Sequence, residues 1–315
     1  VGCLMDRHRL GQKTVKEAPM EQLVNIQGNT HYIPGPVNIG VITGSEGDCI
    51  LIDTGIDDNS AKKILKVLKK HSLRVKAIIN THSHADHFGG NKYILDNTDA
   101  LVYASDFERA IIENPKLEPF YLFSARPISK LNTKLLLGKR CRVDYTVYPG
   151  IQQICGINLE VVSLKGHSVN QIGIITSDDV FFVGDALFPK EVIEKYKIPY
   201  FVDIENALNT LNFIKGCRCY RYVMAHSGVV DRVEDIVDLN IERIGNICKD
   251  IIAILRQPMT REGLVGRLVG KVGASLTLQR YYLALSSVSA YLSYLSDGGK
   301  IKPLLTSTQL LWGAC

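Results

Sequence analysis

Three imidazoles and one carboxylate fall within six positions, His82, His84, Asp86 and His87. Neutral imidazole and carboxylate are ligands for divalent metals; zinc is the usual occupant, and iron or manganese accept the same set. Crowding these groups together without a cation would bury polar atoms at a cost. Residues 75–80, just before the cluster, read as a buried strand. In an extended segment, residues two apart point the same way, so His82 and His84 can aim at one point. The chain then turns into a helix predicted over 88–96, which lets Asp86 and His87 face a second point nearby. Gly89 and Gly90 have no Cβ, so backbone can pack against the site.

Four groups cannot fill two metals. Three further candidates sit in similar contexts: His167 after an apolar run at 159–164, Asp185 just after 180–183, and His226 after 222–225. A lone histidine at a strand end is more often a packing or surface residue. The cluster at 82–87 is what recruits these three. Ligand segments that each follow an apolar strand suit an α/β scaffold, which gathers them at one edge of its sheets. Five of the eight histidines are used in this way, and His8, His31 and His71 lack such a context.

With 315 residues and 46% hydrophobic content, the chain can bury a sizeable core. No stretch approaches the about 18–20 uncharged apolar residues that cross a bilayer. The first twenty residues hold Asp6, Arg7, His8, Arg9, Lys13, Lys16 and Glu17 and lack the apolar stretch of a signal peptide, so a cytoplasmic protein is expected. The eight cysteines (Cys3, Cys49, Cys141, Cys155, Cys217, Cys219, Cys248, Cys315) are expected to be reduced and mostly buried. Cys217 and Cys219 form a two-ligand pair with no second pair to complete a metal site. The net charge of +5 is uneven: from Arg243 onward nine Lys and Arg face three Asp and Glu. That excess could attract an anionic partner, and solvated surface charge explains it equally well.

The elements that must position these residues follow from apolar periodicity. Strands are predicted at 23–26, 37–43 and 49–53, broken by Gly28-Asn29, Pro34-Gly35-Pro36 and residues 44–47. An amphipathic helix follows at 57–71, with Asp58, Asn59 or Ser60 as its cap. Strand 101–104 precedes an irregular, partly helical insertion over 106–149, interrupted by Pro115, Pro119 and Pro127. Strands resume at 159–164, 172–176 and 180–183, with Ser177-Asp178-Asp179 as a hairpin turn. A helix at 204–214 and a strand at 222–225 complete this part. After Val230 the period changes to one long helix over 236–255, a second opened by Thr260 and a third over 279–295. A short hairpin, 301–305 with 309–312, then closes the chain. Helix, helix, helix, hairpin is the order of a winged-helix module.

Together these residues resemble the metallo-β-lactamase superfamily. Residues 81–90 match its THxHxDHxGG signature, and Asp53-Thr54-Gly55 matches its upstream Asp-x-Gly motif. The resemblance covers about residues 22–230. It implies an αββα sandwich with two metals at the rim between two sheets. It also implies that His82, His84 and His167 hold one metal, that Asp86, His87 and His226 hold the other, and that Asp185 bridges them. Asp53 would orient a ligand histidine through its other ring nitrogen. The implied division is an N-terminal extension over 1–20, a catalytic domain over 21–256, and a winged-helix-like domain over 257–315.

Two divalent ions about 3.5–4 Å apart can share one water and make it a hydroxide near neutral pH. The expected protein is therefore a dinuclear hydrolase in which that hydroxide attacks a carbonyl, with Asp86 also carrying a proton. His at position 84 departs from the flavodiiron pattern. The bridging carboxylate and the lack of a cysteine ligand depart from true β-lactamases. Phe188 stands where quorum-quenching lactonases place a tyrosine. The resemblance is thus to the glyoxalase II-like and ribonuclease Z-like branches. As a glyoxalase II-like (thio)esterase, the chain would use Phe120, Tyr121, Phe123 and Phe188 to shape an acyl pocket. As an endoribonuclease, it would hold RNA phosphates with its basic C-terminal module. That module could instead cover the site or join two copies as a homodimer. A mononuclear iron persulfide dioxygenase uses a similar shell and is the third alternative.

Overall fold

The computed structural model describes residues 20–315. Residues 1–19 of the expected N-terminal extension, with Cys3 and His8, lie outside the described residues. The first sheet opens as an antiparallel meander of β1 (Val24–Gln27), β2 (Thr30–Ile33), β3 (Ile39–Thr43) and β4 (Asp48–Ile52). It continues in parallel through β5 (Arg74–Ile79), β6 (Leu101–Ala104) and β7 (Tyr145–Thr146). Between these strands lie α1 (Asp58–Lys70), α2 (Ala85–Phe88), α3 (Asn91–Asn97), α4 (Asp106–Glu113) and α5 (Leu117–Phe123).

The second sheet holds β8 (Gly150–Ile154), β9 (Ile157–Ser163), β10 (Ile172–Thr176), β11 (Val180–Gly184), β12 (Arg221–Met224) and β13 (Val229–Val230), in the order β13-β12-β11-β10-β9-β8. Helices α6 (Lys190–Tyr196) and α7 (Ile204–Gly216) connect β11 to β12. The chain ends with α8 (Glu234–Ile254), α9 (Arg261–Val272), α10 (Leu278–Asp297) and the hairpin β14 (Ile301–Leu305)–β15 (Leu310–Ala314). No helix among the described residues is long and apolar enough to cross a membrane.

Three apolar clusters make this an αββα sandwich. Ile42, Ile50, Ile52 and Ile79 of the first sheet pack against Val161, Ile174 and Phe182 of the second. Their alternate neighbours, Val41, Leu51 and Ile78, face Ile64 and Leu68 of α1. The outer side of the second sheet is covered by α7 to α10 in one continuous cluster that reaches Tyr291 and Ile301. At about 25 cal/mol per Å² of apolar surface removed from water, these three layers supply the main drive to fold.

Strand direction decides where the ligand segments emerge. β4 and β5 are parallel neighbours, so Asp53 and residues 80–87 leave the same edge. β9 and β11 both run antiparallel to β10, and β12 runs parallel to β11. These three strands share one direction, so His167, Asp185 and His226 all follow carboxyl ends at one edge, the usual place for an α/β binding site.

The structure departs from the sequence expectations at several points. The cap of α1 is Asp57, whose carboxylate accepts from Asn59 N and Ser60 N, because Asp57 holds the extended backbone a cap requires. The single helix expected over 88–96 is two, α2 and α3, parted by Gly89 and Gly90. Strands β2, β8 and β13 and helix α6 were not anticipated. Of the described cysteines, Cys49 and Cys141 are buried, Cys217, Cys219 and Cys248 half-buried, and Cys155 and Cys315 exposed, all of them free. Cys155 is exposed because it and Gly156, at φ 50° and 78°, form the two-residue turn between β8 and β9.

Gly89 and Gly245 set up opposite expectations. A Cβ on Gly89 would collide with the carbonyl oxygens of Ile56 and Ala85, whereas one on Gly245, within α8, meets nothing within 4 Å. Gly89→Ala should destabilise the metal-free protein by about 1–3 kcal/mol, and Gly245→Ala should stabilise it by about 0.4–1 kcal/mol. Denaturant unfolding with chelator present measures both. Equal effects would contradict the packing described at Gly89.

Candidate metal centre

Leaving β5, the chain bends at Thr81, runs without regular structure through His82 and Ser83, and enters α2 after His84, whose own backbone is extended. His82 and His87 are fully buried, whereas His84 and Asp86 are half-buried on the open side. The second sheet brings His167 and Asp185, at 5% and 6% exposure, and the half-buried His226 to the same place. His84 Nδ1 lies 3.0 Å from His82 Nε2 and 2.9 Å from His167 Nε2. His226 Nε2 lies 3.1 Å from Asp185 Oδ2 and 3.5 Å from Asp86 Oδ2. His87 Nε2 is 3.5 Å from Asp185 Oδ1. Three overlapping groups could each hold a metal ion: His82, His84 and His167; His82, His87 and Asp185; Asp86, His87 and His226. His31 and His71 join none of them.

The outward ring nitrogens decide which lone pairs point inward. His87 Nδ1 donates to Asp53 Oδ2 at 2.7 Å, His167 Nδ1 to the Tyr200 carbonyl at 2.9 Å, and His226 Nδ1 to the Pro36 carbonyl at 2.8 Å. Thr81 Oγ1 gives its own proton to Asp53 Oδ2, so it accepts from His82 Nδ1 at 3.1 Å. In a neutral ring a proton held at Nδ1 leaves the Nε2 lone pair free. Four histidines thus present Nε2 to the centre.

Asp53 anchors this arrangement. It is 2% exposed, receives Thr81 N at Oδ1, and holds a left-handed backbone at φ 63°, a conformation that Asp tolerates better than most residues. A cation fits the remaining gaps. His87 Nε2 and Asp185 Oδ1 are buried with no hydrogen-bond partner. Such orphaned atoms typically cost about 1–3 kcal/mol each, and a divalent ion would satisfy both. The donor set is nitrogen and oxygen without sulfur, which suits zinc, iron or manganese.

Charge separates the two halves of the site. Burial, and then neighbouring imidazoles, hold His82 well below its ordinary value. Burial is also the main cause that brings His84 down to about 4 and His167 down to about 3. Burial opposes the charge on His226 too, but Asp185 and Asp86 outweigh it and lift the ring to about 9. His87 is raised in the same way, against burial, by Asp185, Asp53 and Asp86. Burial works against the Asp185 charge, yet His226 and His87 hold its carboxyl well below the usual range.

Beside the centre opens a cavity of about 730 Å³. Its floor is His84, Asp86, His167, Asp185 and His226; its wall includes Phe188, Val192, Ile198 and Leu283; and Lys195, Tyr196, Thr277 and Arg280 also line it. Of the four aromatics expected to shape a pocket, Phe188 alone is on this wall, its ring 5.5 Å from that of His167. Phe120 and Tyr121 instead line a separate apolar depression with Phe107 and Leu117. Phe123 packs on Tyr282, with ring centroids 5.3 Å apart. The reason is helical: α5 turns Glu118 and Leu122 inward, which leaves Phe120 and Tyr121 partly exposed, with only the Tyr121 hydroxyl reaching back to 3.5 Å from that of Tyr200 on the cavity lining. The sequence reading missed Glu118, Tyr200 and Arg280, none of which lies in a recognisable motif.

Comparison with known proteins bears on this geometry. The sequence profile of the metallo-beta-lactamase superfamily matches residues 32–226. A hydroxyacylglutathione hydrolase of Vibrio cholerae serotype O1 is 29% identical over 150 residues, 48% of this chain and 46% of that protein. One of Prochlorococcus marinus is 25% identical over 138 residues, 42% of this chain and 44% of that protein. The chain thus spans less than half the length of these curated relatives. A metallo-beta-lactamase family protein from Thermus thermophilus superposes with a TM-score of 0.73 at 19% identity, over 91% of this chain and 99% of that one. A beta-lactamase domain protein from Burkholderia ambifaria gives 0.71 at 15% identity, over 93% of each chain. At these identities the two structures speak for the fold.

Metal uptake should release protons. His87 and His226 carry theirs at neutral pH in the metal-free protein, and both must lose them before binding a cation. Titration with Zn²⁺ at pH 7 should therefore release about two protons per chain. Affinity should rise with pH until the His226 proton is lost at about 9. Calorimetry in buffers of different ionisation heat measures the release, and uptake without it would contradict the charge state described for these two rings.

Proposed function

This chain belongs to the metallo-beta-lactamase superfamily, and from that premise we propose that it is a dinuclear zinc hydrolase of small thioesters or esters. The observation that carries the reading is the convergence of seven nitrogen and oxygen ligands, five of which floor a cavity with an apolar wall. His82, His84 and His167 would hold one ion, and Asp86, His87 and His226 the other, with Asp185 between them. The complete second set favours a dinuclear centre over the mononuclear iron dioxygenase arrangement.

Two divalent ions would supply an acidic water and positive charge for an oxygen that gains electron density. The chain's own residues do the rest. Asp53 keeps the His87 proton at Nδ1, and the Tyr200 and Pro36 carbonyls do the same for His167 and His226. Phe188, Val192 and Ile198 exclude water from the acyl group and so strengthen electrostatics at the floor. The Asp86 carboxylate, 29% exposed and lining the cavity, can take up the proton released by the attacking water. The leaving thiolate needs little protonation, because a thiol ordinarily ionises near pH about 8.5.

Lys195 and Arg280 line the same cavity, and neither is in an ion pair among the described residues. They suit a leaving group that carries a carboxylate or phosphate.

Side-by-side assays of an anionic thioester, a phosphodiester and a short RNA test the reading. Thioester turnover should fall at least about 100-fold in His167→Ala, beyond the loss typical of an outer hydrogen-bond partner. Turnover of RNA alone would overturn the proposal in favour of a nuclease. Arg280→Ala should raise KM for the anionic thioester about two- to fivefold, with kcat nearly unchanged, the size expected of one exposed ion pair. An equal effect on a neutral thioester would remove Arg280 from substrate recognition.

A further inference from the structure

Glu108 plays no part in the chemistry above, yet it touches a loop that each of the two sheets sends to the centre. It lies in the first turn of α4 and is 1% exposed. Its Oε2 accepts from Ser83 N at 2.9 Å and from Ser83 Oγ. Its Oε1 accepts from Ser168 Oγ at 2.7 Å and from Asn170 N at 2.8 Å. Ser83 stands between His82 and His84 on the first sheet's exit, and Ser168 follows His167 on the second's. One carboxylate is therefore shared between two loops that come from different sheets. The start of α4 adds a further tie, because Ser105 Oγ donates to the Asn170 carbonyl at 2.6 Å.

We infer that Glu108 is the positioning residue of one metal subsite, fixing the distance of His167 from His82 and His84, and that it leaves the other subsite largely alone. This rests on the metal-centre reading given above. The selectivity follows from which loops are held. The set His82, His84 and His167 spans the two loops that Glu108 joins. Asp86, His87 and His226 are held by other partners, Asp53 for His87 and the Pro36 carbonyl for His226.

The chemistry demands a carboxylate of this length. An ionised carboxylate has about four acceptor sites and no donor, and here four donors meet it. A glutamine would turn an NH₂ toward one loop, which would lose the bond from its backbone N–H while its serine hydroxyl would have to reverse and accept. An aspartate is one methylene shorter and cannot reach both loops at once. Partners of this kind, one step out from the ligands, typically change metal affinity by about 10–100-fold.

Stepwise titration of the metal-free protein with Zn²⁺, and with Co²⁺ for its absorption spectrum, tests the assignment. Wild type should take up two ions. Glu108→Gln should weaken one step about 10–100-fold and shift the Co²⁺ bands of that step, with the other step changed less than about threefold. Asp53→Asn, which loses a direct bond to His87 and touches His82 only through Thr81, should weaken the opposite step more than this one. If Glu108→Gln does not fold, Ser168→Ala removes one donor while keeping the carboxylate. It should weaken the same step by a smaller factor. Loss of both steps in parallel with unfolding stability, or the same step weakened most by both the Glu108 and the Asp53 variants, would overturn the assignment while leaving the centre intact. Wild type that takes up no ion would overturn the metal-centre reading, and the assignment with it.

Discussion

Everything in this molecule answers to one constraint: lone pairs that repel one another must be held buried and pointing at a common centre. His84 Nδ1 sits within 3.0 Å of two other imidazole nitrogens. Side chains left free would rotate to water. They are prevented by partners on their far side, since Asp53, Thr81 and the carbonyls of Pro36 and Tyr200 each hold an Nδ1 proton. The fold is the means of placing those partners. Asp53 reaches His87 because β4 and β5 are parallel neighbours, and Pro36 reaches His226 because the backbone at Asn38 bonds to the Ala225 carbonyl across the two sheets.

The same constraint sets the charge. The half of the site built from imidazoles alone stays neutral, because the pull of Asp185 offsets too little of the desolvation of a charged ring there. The half that contains Asp185 keeps its protons, because that carboxylate is itself buried and needs a positive neighbour. One residue thereby makes two adjacent groups of similar ligands electrostatically different.

How much of this the sequence disclosed depends on the range of the interaction. His82, His84, Asp86 and His87 are legible because they are close in sequence and their types are costly to bury for any other reason. The apolar runs of β4 and β5, and the long periods of α8 and α10, were equally plain. Strand β2 was not, because it is four residues long and its Thr30, His31 and Tyr32 read as polar. Phe120 and Tyr121 misled, since an aromatic cluster announces burial without saying which face of α5 turns inward. Glu108 was invisible: its four bonds reach Ser83, 25 positions away, and Ser168 and Asn170, 60 and 62 away, and polar residues scattered so widely form no pattern.

The C-terminal helices show how specificity and chemistry become joined. Metal ligands come from strand ends, while much of the cavity wall comes from α9 and α10 and the loop between them. These helices share one apolar cluster with the second sheet, so the wall rests on the strands that carry the ligands. A polar link runs between the two parts. Ser287 of α10 accepts from Phe201 N at 3.2 Å, and the adjacent Tyr200 carbonyl holds the Nδ1 proton of His167. Any movement of α10 against a bound molecule therefore bears on a side chain whose lone pair faces the centre. In a close-packed interior such displacements pass between neighbours instead of being absorbed. The wall of the cavity is, through two residues of backbone, also part of the frame that aims His167.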